Sequence, residues 1–163
     1  MVEEVSSERT DLIMGTSYYL AYGSNLNKEQ MKLRCPTAKA VGTAEIKDFT
    51  LRFRGSRTGA YLTIEKQYGS AVPVAVWAVT AADVKALDRY EGYPNFYYKK
   101  AFTLEVNGSP TECFAYIMHE YRPFGIPSLR YVQTCLEGYG DFGFDKRILI
   151  QAVRESRCKA YEK

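Results

Sequence analysis

The sequence predicts an α+β fold: a small, mixed but mostly antiparallel β-barrel with flanking helices. Three observations predict it. Segments rich in β-branched and aromatic residues outnumber helical ones, and Asn107-Gly108 between two of them is a strong hairpin signal. The run from Ala71 to Val79 is nearly all apolar, as expected of a strand covered on both faces. Each helical segment opens on a residue able to cap it: Asn27, Thr80, Ser128 and Asp145. With 163 residues, 46% of them hydrophobic, the chain is long enough for one well-filled core. The expected division is a polar, acidic tail over 1–16 and a single domain over 17–163.

Taken in order, the first strand spans about 17–22, with aromatic residues favouring extended backbone. Gly23 breaks it, chosen for its tolerance of positive φ. A helix follows over 27–34, with Gln30 placed to complete the Asn27 cap and Leu26 and Met31 forming a hydrophobic staple. Cys35-Pro36 ends it, because the residue before a proline avoids helical geometry. Ala40 to Arg54 reads as a strand or a bent pair, with Phe49, Leu51 and Phe53 alternating against Thr50, Arg52 and Arg54. A loop over 55–59 leads to two strands, Ala60 to Lys66 and Ala71 to Val79. Pro73 is expected at a strand start or an edge, since it cannot donate to a ladder.

Thr80, with Asp83 three residues on, opens a helix that stops at Gly92. Phe96 to Val106 and Thr111 to Met118 form the hairpin around Asn107-Gly108. Ser128 opens a helix to about Leu136 that Gly138 closes. Asp145 opens the last helix, to about Ala160.

Several function classes are excluded by what the sequence lacks. Net charge is +3, from 22 basic and 19 acidic residues, with no basic cluster to grip nucleic acid. Cys35, Cys113, Cys135 and Cys158 are dispersed, so no zinc or dithiol motif forms. His119 is the single histidine and reads as a loop or surface residue at a strand end. No GxSxG elbow, paired-histidine helix or P-loop lysine is present. No metal and no cofactor is therefore expected. No segment has the apolar length to span a membrane, and the start lacks a signal-peptide pattern. A reduced, cytoplasmic protein is the expectation.

Two features carry chemistry. Tyr22-Gly23-Ser24-Asn25-Leu26 is a strand–glycine–polar–helix turn, which leaves backbone N–H groups to hold a carboxylate or phosphate. Its bland reading is a tight turn with no ligand. Glu91 is the second. It lies four residues beyond Leu87 and seven beyond Val84, on the core-facing stripe of its helix. Burial and the negative helix end both disfavour its ionised form, moving it toward the range of a general base. The alternatives are an exposed last turn, or an ion pair with Arg89, Lys99 or Lys100.

Together these residues resemble the γ-glutamylcyclotransferase-like family. The loop is followed at the expected distance by Glu91-Gly92, then by Tyr97 or Tyr98 and by Tyr116. The likeness spans roughly Tyr18 to Asp145, and the Tyr-Gly-Ser-Asn form is nearest the branch acting on γ-glutamyl amino acids. It implies a mixed barrel with a cavity, Tyr22 to Leu26 holding the substrate's α-carboxylate, Glu91 as acid/base, and 5-oxoproline plus an amine or amino acid as products. Tyr97, Tyr98 and Tyr116 would line the site, with Tyr97 and Tyr98 unranked. The implied partner is a small γ-glutamyl molecule. The number of subunits is left open, a homodimer included. A non-catalytic anion-binding module would use the same loop with Glu91 structural. An amidohydrolase would replace the substrate's amine with water.

Overall fold

The protein was analysed as a computed structural model, which describes residues 16–56 and 59–162. The sequence-predicted tail lies, but for Thr16, outside the described residues. The described residues form five strands: β1 (Ser17–Ala21), β2 (Lys39–Gly55), β3 (Ala60–Val79), β4 (Tyr97–Val106) and β5 (Ser109–Met118). Among the described residues four α-helices accompany them: α1 (Lys28–Arg34), α2 (Ala81–Glu91), α3 (Leu129–Asp141) and α4 (Lys146–Lys159).

The sheet has the order β2-β3-β1-β5-β4. Its pairs are antiparallel except β1 with β5, which is parallel and registers Tyr19 against Phe114. The α+β class is as expected, but the barrel is not closed: β2 and β4 are the two edges and share no ladder. Side chains bring these edges together instead. The Phe49 and Phe102 rings meet edge to face at 5.5 Å, and Asn107 Nδ2 donates to the Val41 carbonyl at 3.0 Å. Aromatic packing and one hydrogen bond thus replace the ladder that closure would require.

The helix starts follow the caps. The Asn27 side chain accepts from the Gln30 N–H at 3.1 Å. Thr80 and Asp83 form a full capping box, and the Ser128 and Asp145 side chains cap α3 and α4. Gly92 ends α2 in the left-handed region at φ 65°. The Tyr93 N–H then reaches back to the Asp88 carbonyl at 2.9 Å.

Three features differ from the sequence reading, each for a physical reason. The segments 60–66 and 71–79 are one long strand, because β2 runs alongside both and absorbs the mismatch in an irregularity after Lys47. There Asp48 has φ 63° and its Oδ1 accepts from the Gly69 N–H at 2.9 Å. Pro73 is inside this strand, at a level that β1 does not reach, since the β1 pairing covers Ala75 to Val79 only. One side of the strand is therefore locally an edge. Helix α3 does not stop at Gly138 but runs to Asp141. Gly138 is a point of contact: a Cβ there would lie 2.6 Å from both the Asn27 nitrogen and Leu26 Cβ. The helix touches the turn after β1 where it has no side chain.

The core is continuous between the sheet and the helices, with Leu20, Phe53, Leu62, Val76, Leu87 and Leu149 fully buried. The expected apolar run of β3 is buried from Val72 to Trp77. Among the described residues no helix is long and apolar enough to cross a membrane.

Because Gly138 fills its space completely, Gly138→Ala should destabilise the protein by about 1–3 kcal/mol, the usual range for overpacking. Urea unfolding with an unchanged m-value checks this. Gly140→Ala, whose Cβ would meet nothing closer than Lys146 Nζ at 3.6 Å, is the control expected to stay near wild type.

Candidate active site

Strand β1 delivers Tyr22 and Gly23 to its carboxyl end, and Ser24–Leu26 form a single 3₁₀ turn before α1. The turn closes on the Leu26 N–H to Gly23 carbonyl bond and the Asn27 N–H to Ser24 carbonyl bond, both 3.0 Å. The N–H groups of Ser24 and Asn25 precede these bonds and have no acceptor within the turn. Contrary to the positive φ expected of it, Gly23 has φ −126°. Its lack of a side chain serves close approach: a Cβ would sit 3.2 Å from the Tyr131 hydroxyl.

This turn forms one wall of a cavity of about 480 Å³. The adjoining wall is the C-terminal end of α2, with Tyr90, Glu91 and Gly92. Tyr19, Tyr22, Tyr97 and Tyr116 rise from the sheet between them, and Tyr61, Phe96 and Tyr131 complete the enclosure.

Glu91 is where its helix register put it. Its Oε1 receives Asn25 Nδ2 at 3.5 Å, linking the end of α2 to the turn. Loss of water around the carboxyl pushes its pKa up, and the Arg34 guanidinium opposes this without cancelling it. The result is a carboxyl raised to about 7. Desolvation wins because the wall is mostly aromatic, and Arg34 is engaged elsewhere. One of its nitrogens donates to Asn25 Oδ1, and its guanidinium stacks on Tyr90 with Cζ 3.4 Å from the ring centre.

The tyrosine hydroxyls are not all available to a ligand. Tyr22 donates to the Tyr116 carbonyl, and Tyr97 to the Leu62 carbonyl at 2.7 Å. Tyr116 donates to Asp88 Oδ1 at 2.6 Å, and Lys99 Nζ lies 2.9 Å from the same carboxyl oxygen. These three rings give the cavity its shape while their protons are committed to protein acceptors. Tyr19 differs. Its hydroxyl accepts from Asn25 Nδ2 at 2.9 Å, and its own proton has no acceptor among the described residues.

Of the residues singled out in the sequence, Tyr22, Gly23, Ser24, Asn25, Glu91, Tyr97 and Tyr116 all line this one cavity. Leu26 and Tyr98 do not. Leu26 is fully buried beneath the turn, and its N–H is used to close it. Tyr98 falls on the opposite face of β4, where its hydroxyl meets Glu120 and its ring packs on His119. Sequence reasoning missed Tyr19, Arg34, Tyr90 and Tyr131. His119 is half-buried at the end of β5, its Nε2 2.8 Å from the Pro94 carbonyl, and is not among the cavity residues. All four cysteines are free.

A cavity with one titrating acid on its wall and a helical turn beside it is the equipment of a small-molecule enzyme. Comparison with known proteins makes that class specific. The family model for gamma-glutamyl cyclotransferase, AIG2-like proteins matches residues 19–133. The gamma-glutamylcyclotransferase of Mus musculus is 32% identical over 139 residues, covering 78% of this chain and 72% of the mouse protein. That of Homo sapiens is also 32% identical, over 136 residues, covering 77% and 71%. A solved structure of a gamma-glutamyl cyclotransferase aligns with a TM-score of 0.69 at 26% identity, covering 88% of each chain. The chain belongs to the gamma-glutamylcyclotransferase, AIG2-like family, and it is an enzyme of that type.

Two outcomes follow from this geometry. Tyr98→Phe should leave turnover within about twofold, whereas Tyr97→Phe, which leaves the Leu62 carbonyl without its donor, should cost about 1 kcal/mol in stability. Activity assays and thermal melts separate the pair. Glu91 also predicts a pH dependence of stability. Its folded pKa, about 7, exceeds the unfolded value of about 4.3, so its stabilising protonation is complete below the lower value and is lost as pH rises through 7. At pH 8, Glu91→Gln should therefore be more stable than wild type, by on the order of 1–3 kcal/mol. Melts at pH 5 and pH 8 should show the gap closing at the lower pH.

Proposed function

We propose that the enzyme releases 5-oxoproline from γ-glutamyl compounds by letting the substrate's own α-amine attack its γ-carbonyl. The observation that carries this reading is the Glu91 carboxyl, raised to about 7 and set beside the Ser24–Asn25 turn on the cavity wall. The names and similarity of the mouse and human relatives support it.

The chemistry suits a site with one acid. The substrate brings its own nucleophile, so the protein needs to hold the molecule folded and to move protons. Orienting an intramolecular attack accounts for roughly 7–11 kcal/mol of barrier lowering. The α-carboxylate sits on the Ser24 and Asn25 N–H groups, at the positive start of the turn. Ionised Glu91 takes a proton from the α-ammonium. The amine nitrogen then bonds to the γ-carbon, and the carbonyl becomes an oxyanion. Tyr19, whose proton has no acceptor among the described residues, is placed to donate to it. As the oxyanion collapses, the bond to the leaving nitrogen breaks and Glu91 gives that nitrogen its proton; the carboxylate so formed takes the second proton from the ring nitrogen and passes it to the departing amine, which leaves as its ammonium. The products are the five-membered lactam and a free amine or amino acid. A group titrating near 7 suits both proton transfers, since it is a competent base and a competent acid at neutral pH.

The turn contributes geometry as well as charge. It is seated on α3 at Gly138 and tied to α2 by Asn25, so the carboxylate site and the base belong to one rigid unit. A ligand held at one is thereby registered against the other.

Incubation with a panel of γ-glutamyl amino acids, γ-glutamyl amines and glutathione, scoring 5-oxoproline, tests the proposal. Glu91→Gln should lower kcat by about 10²-fold or more, the general acid–base range, with the fold intact by circular dichroism. A Glu91→Gln protein forming 5-oxoproline at the wild-type rate would overturn it. Substrates whose α-amine is acylated should be inert; their hydrolysis would instead mark an amidohydrolase.

A further inference from the structure

Arg34 is the side chain whose position asks for an explanation. It lies in the last turn of α1, a helix that contributes no residue to the cavity wall. Its contacts run toward the site all the same. One guanidinium nitrogen donates to Asn25 Oδ1, another to Gln30 Oε1 at 3.4 Å, and the plane stacks on Tyr90. Tyr90 immediately precedes Glu91, and its hydroxyl meets Ser24 Oγ at 3.0 Å.

An asparagine amide has two ends with opposite hydrogen-bonding character. With a cation bound to Oδ1, the Nδ2 end of Asn25 is turned toward Tyr19, at 2.9 Å, and Glu91, at 3.5 Å. The reverse orientation would set an NH₂ group against a guanidinium and an oxygen against a carboxylate. Both contacts would be repulsive. Arg34 thus decides which face of Asn25 the acid sees. Through its stack on Tyr90 it also holds the end of α2 against the turn. Planarity matters to both tasks, so a lysine would perform neither fully.

We propose that Arg34 is the positioning residue of this site, locking the Asn25 amide and the Tyr90 ring so that Glu91 faces the turn, and setting through its charge the pH at which Glu91 ionises. The proposal rests on the acid/base reading of Glu91 for its kinetic part only. The groups around Glu91 are otherwise uncharged at neutral pH: Tyr19 from β1, Tyr22 after it, Tyr97 from β4, Tyr116 from β5 and Tyr131 from α3 all have pKa values raised above the ordinary tyrosine range. On its own helix, Arg89 is exposed at the cavity rim, and Asp88 is held by Lys99 and Tyr116. Arg34 is the charge that bears on Glu91 directly, and it favours the ionised form.

The test compares Arg34→Gln, Arg34→Lys and Lys32→Gln, the last removing an exposed charge from the same helix. The Glu91 carboxyl is titrated by carbon NMR, and the pH profile of kcat is measured with γ-glutamylalanine. In Arg34→Gln both the Glu91 midpoint and the acid limb of kcat should move up by about half a pH unit or more, since the cation that favours the carboxylate is gone. Lys32→Gln should leave them in place. Arg34→Lys should hold the midpoint nearer wild type but lower kcat about tenfold, with KM changing less, because the amide and the ring are no longer fixed. A merely structural arginine would lower activity equally at every pH. An unmoved midpoint in Arg34→Gln, or a folded Arg34→Lys with wild-type kcat, would overturn the proposal. If Arg34→Gln does not fold, the Arg34→Lys kinetics decide. Full activity of Glu91→Gln would refute the acid/base reading instead, and the NMR titration would still judge the Arg34 charge.

Discussion

Everything in the cavity is arranged around the difficulty of keeping a carboxyl group among aromatic rings. Glu91 stands at the end of α2, where the helix dipole and the missing water both favour the protonated acid. A single cation, set back behind Asn25, partly offsets this. Had the guanidinium paired with the carboxylate directly, the acid would titrate in the ordinary range and stay ionised, useless as a proton donor at neutral pH. Placing an amide between the two leaves Glu91 near 7 while still orienting it.

The same economy governs the tyrosines. Burying so many hydroxyls would be costly if they went unpaired. Tyr22, Tyr97 and Tyr116 donate to acceptors in the protein, two of them backbone carbonyls of other strands. The cavity is therefore stiff and largely unable to hydrogen-bond a ligand through its walls. In the proposed reaction, recognition rests on the Ser24 and Asn25 N–H groups, Tyr19 and Glu91.

Much of this was readable from the residues, and the failures have identifiable causes. Capping chemistry is local, so Asn27, Thr80, Ser128, Asp145 and the Gly92 stop all appear where the sequence put them. The register of α2 likewise suffices to turn Glu91 inward beside Leu87. Tyr97 could have been chosen over Tyr98 by counting from the Asn107-Gly108 turn, which sets Lys99 opposite Tyr116 and so gives Tyr97 the same face as Tyr116. Arg34 and Tyr131 carry no such signal. Each enters the site through tertiary packing of an otherwise ordinary amphipathic helix. The open edge between β2 and β4 was equally illegible, because strand periodicity reports which face is buried and not whether a sheet closes on itself. Gly138 shows a further limit. Near a helix end a glycine reads as a stop, although here it marks the place where another backbone must pass.

That contact at Gly138 has a consequence for how such a site can change over generations or be transplanted. The turn and the α3 notch are complementary shapes contributed by segments more than a hundred residues apart. A substitution that enlarges position 138 leaves no room for Leu26 and Asn27, and a bulkier turn has nowhere to settle unless the notch deepens with it. The two segments are thus inherited as a matched pair. Grafting Tyr22 to Leu26 onto a foreign scaffold would carry over the letters of the site without its seat. A designer moving this activity would have to take the glycine along, although it touches no substrate.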